Sequence, residues 1–134
     1  MSRHLLDSNI LIGFLRHQEQ STEILRSLSP FEVPACSTLS IYEIRLGMRP
    51  VEQTRTEQFL STMESIPVSD EISRMAAELG RPLVQSRKSI DPIDLLIAAT
   101  CIVHHLTLVT FNRKHFKFPG LSLMPIDSIE TPPK

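Results

Sequence analysis

The sequence predicts an α/β fold in which a central, mainly parallel sheet is covered on both faces by helices. Three observations carry that prediction. Short apolar runs alternate with stretches of helical periodicity along the whole chain, the pattern of strand–helix–strand units. The first apolar run delivers a carboxylate straight into a helix start, in Leu5-Leu6-Asp7-Ser8-Asn9. The same device recurs near the other end, where Leu106 to Thr110 leads into Asn112. Parallel α/β folds present ligand-binding groups in this manner, beyond the carboxyl ends of their strands.

Taken in order, residues 3–7 read as a strand and Ser8 to Leu15 as the first helix. Gln20 to Leu28 is a second helix with Ile24, Leu25 and Leu28 on its buried side, stopped by Ser29-Pro30. Phe31 to Cys36 alternates like a second strand, and Pro34 places it at an edge or a strand end. Ser37 and Thr38 cap a helix running to Gly47 or Met48, and Pro50 opens an acidic helix to about Met63. Ser65 to Val68 is a third strand. Ser69-Asp70-Glu71 starts a helix whose stripe of Ile72, Met75, Ala76, Leu79 and Leu83 keeps helical spacing. Asp91-Pro92 opens the next helix, with proline at its favoured first position. Leu106 to Thr110 is the fourth strand and Leu121 to Pro125 the fifth. One domain is expected over residues 1–129, with a frayed tail at 130–134.

Composition excludes several classes. A chain of 134 residues is long enough to bury a real core, and 41% hydrophobic with 22% charged residues reads as globular. Cys36 and Cys101 lack the paired spacing of zinc or redox sites. Asp7, Ser8 and Asn9 interrupt what would be the apolar region of a secretion signal, so a reducing cytoplasm is expected. The longest apolar stretch, Leu95 to Val103, falls far short of the ~20 residues of a membrane helix. No membrane role is expected. The net charge of −1 gives no global basic footprint, but its distribution is uneven. From Val51 to Gly80, Arg55 and Arg74 face Glu52, Glu57, Glu64, Asp70, Glu71 and Glu78, a balance of −4. From Arg81 to Pro119, Arg81, Arg87, Lys88, Arg113, Lys114 and Lys117 face only Asp91 and Asp94, a balance of +4. That basic half also carries two candidate site residues, as an enzyme acting on a polyanion requires.

Four oxygen-bearing side chains from distant segments, Asp7, Glu43, Asp94 and Asn112, suggest a hard-metal site. Each has a plainer reading. A lone Asp7 between strand and helix is a helix N-cap first. Glu43 has Leu39, Ser40, Leu46 and Gly47 at helical spacing, so its carboxylate is partly desolvated and needs a cation or donors. The alternative is an internal pair with Arg45 or Arg49. Gly47, one turn on, leaves room for a ligand. Asp91 and Asp94 together mimic a capping box. Yet the N-terminus of that helix opens onto the sheet edge that carries the ends of the strands, where Asp94 meets Asp7. Arg87, Lys88, Arg113, Lys114, His115 and Lys117 either hold a phosphate backbone or are simply solvated. His104-His105 ends a helix, where cations favour the dipole. Tyr42 and Met48 read as core or dimer contacts. With Leu11 and Phe14 on the apolar first and third helices, they exceed what a small monomer easily buries, so a homodimer is expected.

These segments resemble the PIN-domain ribonucleases, and most closely the VapC-like toxins of toxin–antitoxin pairs. The matching stretches are Leu6-Asp7-Ser8-Asn9, Ser40 to Gly47, Asp91 to Ala99, and Leu108 to Phe116 followed by Gly120-Leu121, in family order over nearly the whole chain. The resemblance implies a three-layer α/β/α sandwich with a sheet of about five strands and an acidic site for Mg²⁺ or Mn²⁺. It further implies endonucleolytic cleavage of structured RNA, tRNA or rRNA, by a growth-inhibiting homodimer neutralised by a cognate antitoxin. Asp7, Glu43 and Asp94 match the three family acids, and Asn112 falls at the fourth position, where many members carry Asp. Ser8 stands where Thr is commoner, and His115 where an acid often stands.

The chemistry agrees with the residue types. Mg²⁺ keeps several waters, so two or three carboxylates suffice. In-line attack by an activated water needs no nucleophilic side chain and leaves 5′-phosphate and 3′-hydroxyl ends. With a neutral Asn112, one metal is expected to be well held and a second to bind weakly or only with substrate phosphate. Two other classes stay open. One is a different metal-dependent phosphoryl-transfer enzyme, although a haloacid-type phosphatase wants a second Asp where Asn9 stands. The other is a catalytically inactive interaction module, which the three acids oppose and Asn112 permits.

Overall fold

Leu5, Leu6, Leu108 and Val109 have no exposed surface, and this sets the architecture. Strands buried on both faces read as unbroken apolar runs and belong in the middle of a parallel sheet. In the computed structural model, which describes residues 3–126, they do. The strands are β1 (His4–Leu6), β2 (Ala35–Ser37), β3 (Glu64–Ile66), β4 (Thr107–Val109) and β5 (Ser122–Leu123). They form one sheet in the order β3-β2-β1-β4-β5, with every pair parallel.

Side chains alternate across the sheet, so neighbours in sequence enter different cores. Leu5 and Leu108 join a core with helices α5 (Asp70–Gln85) and α6 (Pro92–His104). Leu6 and Val109 join the opposite core with α1 (Ser8–Leu15), α2 (Glu19–Ser27), α3 (Thr38–Gly47) and α4 (Gln53–Leu60). The result is the three-layer α/β/α sandwich. Helix starts are fixed by caps: Ser37 Oγ accepts from Leu39 N–H and Ser69 Oγ from Ile72 N–H. Close helix contacts are made at glycines. A Cβ on Gly80 would lie 3.1 Å from Leu95 Cδ1, and one on Gly13 only 2.1 Å from Ser21 Oγ.

Three expectations are corrected. The second strand is not Phe31 to Cys36 but Ala35–Ser37. Phe31 is 91% exposed, and Pro34 has no N–H to give a ladder. Glu32 instead folds its carboxylate onto β1, accepting from the backbone N–H groups of Arg3 and His4 and contacting His4 Nδ1 at 2.9 Å. The acidic helix from Pro50 is split into a 3-10 turn, Pro50–Glu52, and α4, which stops at Leu60. The third strand starts at Glu64 and ends at Ile66, because Pro67 follows. The frayed tail expected at 130–134 lies outside the described residues. Among those residues, no helix is long and apolar enough to cross a membrane.

Strand order reverses between β1 and β4, since the chain moves outward on one side through β2 and β3 and returns to β4 on the other. In open α/β sheets that reversal creates the crevice where ligands bind.

Candidate active site

Asp7 and Thr110 leave the sheet side by side, since the last paired residues of β1 and β4 are Leu6 and Val109. The Asp7 N–H still donates to Val109 C=O at 3.0 Å. Asp7 does cap α1, with Oδ1 accepting from Ser8 N–H at 2.8 Å. That uses one oxygen. The other, Oδ2, accepts from the Thr110 hydroxyl at 2.8 Å. Asp7 is only 7% exposed, and burial raises its carboxyl pKa against the lowering effect of these two donors.

Thr110 is the joint of the crevice. Besides donating to Asp7, its oxygen accepts from Asn112 N–H at 3.1 Å and from Asn9 Nδ2 at 3.3 Å. Asn9 Oδ1 in turn accepts from Phe111 N–H at 3.3 Å. The two strand ends are thereby stitched together through Asn9 and Thr110. Sequence reading passed over both residues. The signal for Thr110 was its place one residue beyond the fourth strand's apolar run, the place Asp7 holds in the first.

Glu43, on α3, is exposed as a residue, yet its carboxyl reaches this crevice. Burial raises its pKa, a hydrogen bond with Ser8 lowers it, and the charges of Asp7 and Asp91 raise it. The alternative of an internal pair fails. Arg45 is held by Glu57 through two hydrogen bonds of 2.9 and 2.8 Å, and Arg49 pairs with Glu52 at 3.3 Å. Gly47 is open, and it shares with Glu43 a small cleft of about 60 Å³.

Asp94 sits in the first turn of α6 with its pKa pushed up to about 6. Burial is the main cause, followed by the charges of Asp91 and Asp7. His115, with Nδ1 at 3.6 Å from Oδ2, pulls the other way, and Glu43 adds a further upward push. The fold therefore brings Asp7, Glu43 and Asp94 within each other's electrostatic reach. It adds a fourth acid that sequence reading took only as a cap. Asp91 Oδ1 accepts from Ile93 N–H at 2.9 Å and Asp94 N–H at 3.3 Å, while its charge acts on all three other acids.

Asn112 is at the same edge, but its hydrogen bond runs through its backbone and its side chain is exposed. Arg113 differs from the other basic candidates. Its guanidinium donates to Met124 C=O and so ties the turn after β4 to the segment after β5. Arg87, Lys88, Lys114 and Lys117 are exposed. The thiols are not candidates, since burial pushes Cys36 to about 11 and Cys101 to about 12.

Asp7, Glu43 and Asp94, with oxygen donors only and the Asp91 charge nearby, are suited to a hard divalent cation. Among the described residues, no three acidic, histidine or cysteine side chains form a ready-made metal cage. Carboxylate oxygens of this kind fit a hydrated divalent cation, which takes only part of its shell from protein.

Comparison with known proteins finds relatives along nearly the whole chain. Residues 4–121 match the family model of the PIN domain. Ribonuclease VapC19 of Mycobacterium tuberculosis is 35% identical over 119 residues, which span 87% of this chain and 95% of that protein. The crystal structure of VapBC2 from Rickettsia felis, bound to a DNA fragment from its promoter, superposes with a TM-score of 0.77 at 31% identity, covering 90% of this chain and 96% of that one. A toxin–antitoxin complex from Klebsiella pneumoniae gives 0.74 at 28% identity, over 88% of this chain and 94% of that one. Matched over nearly all its described length by the family model, and at this identity by a ribonuclease relative, the chain belongs to the PIN-domain family, in its VapC ribonuclease group.

Proposed function

We propose that this chain is an endoribonuclease that cuts structured RNA, of the tRNA or rRNA kind, with Mg²⁺ or Mn²⁺ held at the crevice between β1 and β4. The observation that carries the reading is the buried Asp7 carboxylate, meeting acids from α3 and from the start of α6 at the switch point of the sheet. Asp7 and Asp94 are the direct ligands, and Glu43 completes the site from α3. When bound, the cation supplies Lewis-acid polarisation of a phosphoryl oxygen and acidifies a water for in-line attack. Thr110 holds Asp7 in its ligating orientation through the 2.8 Å hydrogen bond. The exposed Asn112 offers a neutral oxygen to the substrate side of the crevice. Lys114, Lys117, Arg87 and Lys88 contact the phosphate backbone.

The activity is that of a toxin, neutralised by a cognate antitoxin, as the toxin–antitoxin complex among its relatives supports. The working form is a homodimer in the cytoplasm, where the two free thiols stay reduced. Product ends test the reaction. Mg²⁺ or Mn²⁺ is expected to permit cleavage that EDTA abolishes, leaving 5′-phosphate and 3′-hydroxyl termini. Asp7→Asn is expected to keep the fold and lower the rate by at least about 100-fold. Thr110→Val is expected to weaken metal binding roughly 10–100-fold, with Thr110→Ser restoring it. Release of inorganic phosphate without RNA fragments, or wild-type cutting by Asp7→Asn, would overturn the assignment.

A further inference from the structure

Beside Asp94 lies a second cavity, of about 250 Å³, most of whose lining the cleavage chemistry does not use. It is smaller than the roughly 300–1,000 Å³ of pockets for drug-sized ligands, and so is scaled to a single ring system. Ile90, Leu95 and Phe118 are among its apolar lining residues, and Ser89, Asp91, Asp94 and His115 are its polar ones. Basic residues flank it along the chain on both sides: Arg87-Lys88 precede Ser89, and Lys114 and Lys117 bracket His115. A cavity with an aromatic wall, a carboxylate and cationic borders, opening beside a phosphodiester-cutting site, has the features of a pocket for a flipped-out base.

We propose that this cavity is a nucleobase subsite, which receives the unpaired base next to the scissile phosphate and selects for bases that carry an exocyclic amino group. The proposal rests on the endoribonuclease reading and deepens it. Phe118 supplies a ring for stacking, which every base accepts. Asp91 supplies the selection. Its Oδ1 is committed to the cap of α6, and Oδ2 remains to accept from an amino group of adenine, cytosine or guanine. Uracil presents carbonyl oxygens beside its single N–H, and these repel a carboxylate. Asp94 is not given this role, because the proposed nuclease site uses it as a metal ligand.

The test uses the whole protein with Mn²⁺ and a pool of RNA hairpins with randomised loops, the cut ends being sequenced. At one position beside the cut, uracil is expected to be disfavoured roughly ten-fold relative to the other bases. Asp91→Asn keeps an N-cap, since asparagine caps as well as aspartate. Its amide N–H now faces the base, so uracil is expected to gain at that one position while preferences elsewhere stay. A second measurement needs no cleavage. In metal-free protein, adenosine, cytidine or guanosine is expected to shift the NMR signals of Ser89 to Asp91 and Phe118 more than uridine does. A flat wild-type profile, or a uniform loss of cutting by Asp91→Asn with the base profile unchanged, overturns the subsite and leaves the nuclease standing. Absence of metal-dependent cutting overturns the nuclease reading instead, and equal shifts by all four nucleosides overturn the subsite independently.

Discussion

Asp94 illustrates how the fold stores repulsion at the scale of one residue. Burial and the charges of Asp91, Asp7 and Glu43 lift its pKa to about 6, and Asp7 and Glu43 are raised as well. An acid whose folded pKa exceeds its unfolded value binds more protons when folded. Its contribution to stability is therefore fully present below the ordinary carboxylate value and is lost as pH rises through about 6. Metal-free protein is expected to melt at progressively lower temperature between about pH 4.5 and pH 7. Glu32, whose pKa is lowered by its backbone donors and His4, acts in the opposite sense, and only as pH falls below its ordinary range. Saturating Mn²⁺ is expected to flatten the slope, and Asp94→Asn to raise the melting temperature of the metal-free protein at pH 7. Calorimetric scans across pH check this. A melting temperature that climbs with pH in the absence of metal refutes it.

Elements place these residues through contacts that only particular side chains permit. Helix α1 starts at Asp7's neighbour, and its inner face meets α2 at Gly13, where an added Cβ would lie 2.1 Å from Ser21 Oγ and 2.9 Å from Gln18 Oε1. Gly13→Ala is expected to destabilise by about 1–2 kcal/mol, the overpacking exceeding the gain in helix propensity. Gly47→Ala is the control, because nothing lies within 4 Å of its added carbon. Chemical denaturation of both variants separates the two cases, and equal stability would show that α1 and α2 part without cost. The same scale explains what sequence reading placed well and badly. Caps at Ser37, Ser69 and Asp91 were legible because they depend on residues two or three apart. The second strand was misplaced because Phe31 and Val33 alternate like strand residues but remain exposed.

For the whole molecule, the sequence reading proposed a dimer through Leu11, Phe14, Tyr42 and Met48. One of these is spent inside the fold and another is half-buried. Leu11 is fully buried, and Phe14 stacks on Phe59 with ring centroids 4.6 Å apart. Tyr42 is no core residue either, being 59% exposed, and Leu46 beside it on α3 is 72% exposed. Apolar groups presented together at a surface mark an interaction face. The proposed homodimer is expected to use this face, so that Tyr42→Glu with Leu46→Glu gives a monomer in sedimentation at micromolar concentration. An unchanged sedimentation coefficient would place the contact elsewhere.

The sequence by itself determined the layers and the sheet edge. Unbroken apolar strands can only be central, and helical stripes can only cover them, so Asp7 and Asp94 had to meet at the strand ends. It also supplied Glu43, through a carboxylate among small and apolar neighbours. What it did not determine was how the acids are held. Thr110 lies 103 positions from Asp7, and Asp91 acts at a distance through its charge on Asp7 and Glu43, from two other segments. Local patterns encode caps and periodicity because their partners lie within a turn or two. The hydroxyl that orients Asp7, the rescue of Arg45 by Glu57 that leaves Glu43 unpaired by arginine, and the cavity beside Asp94 exist only once distant segments are packed together.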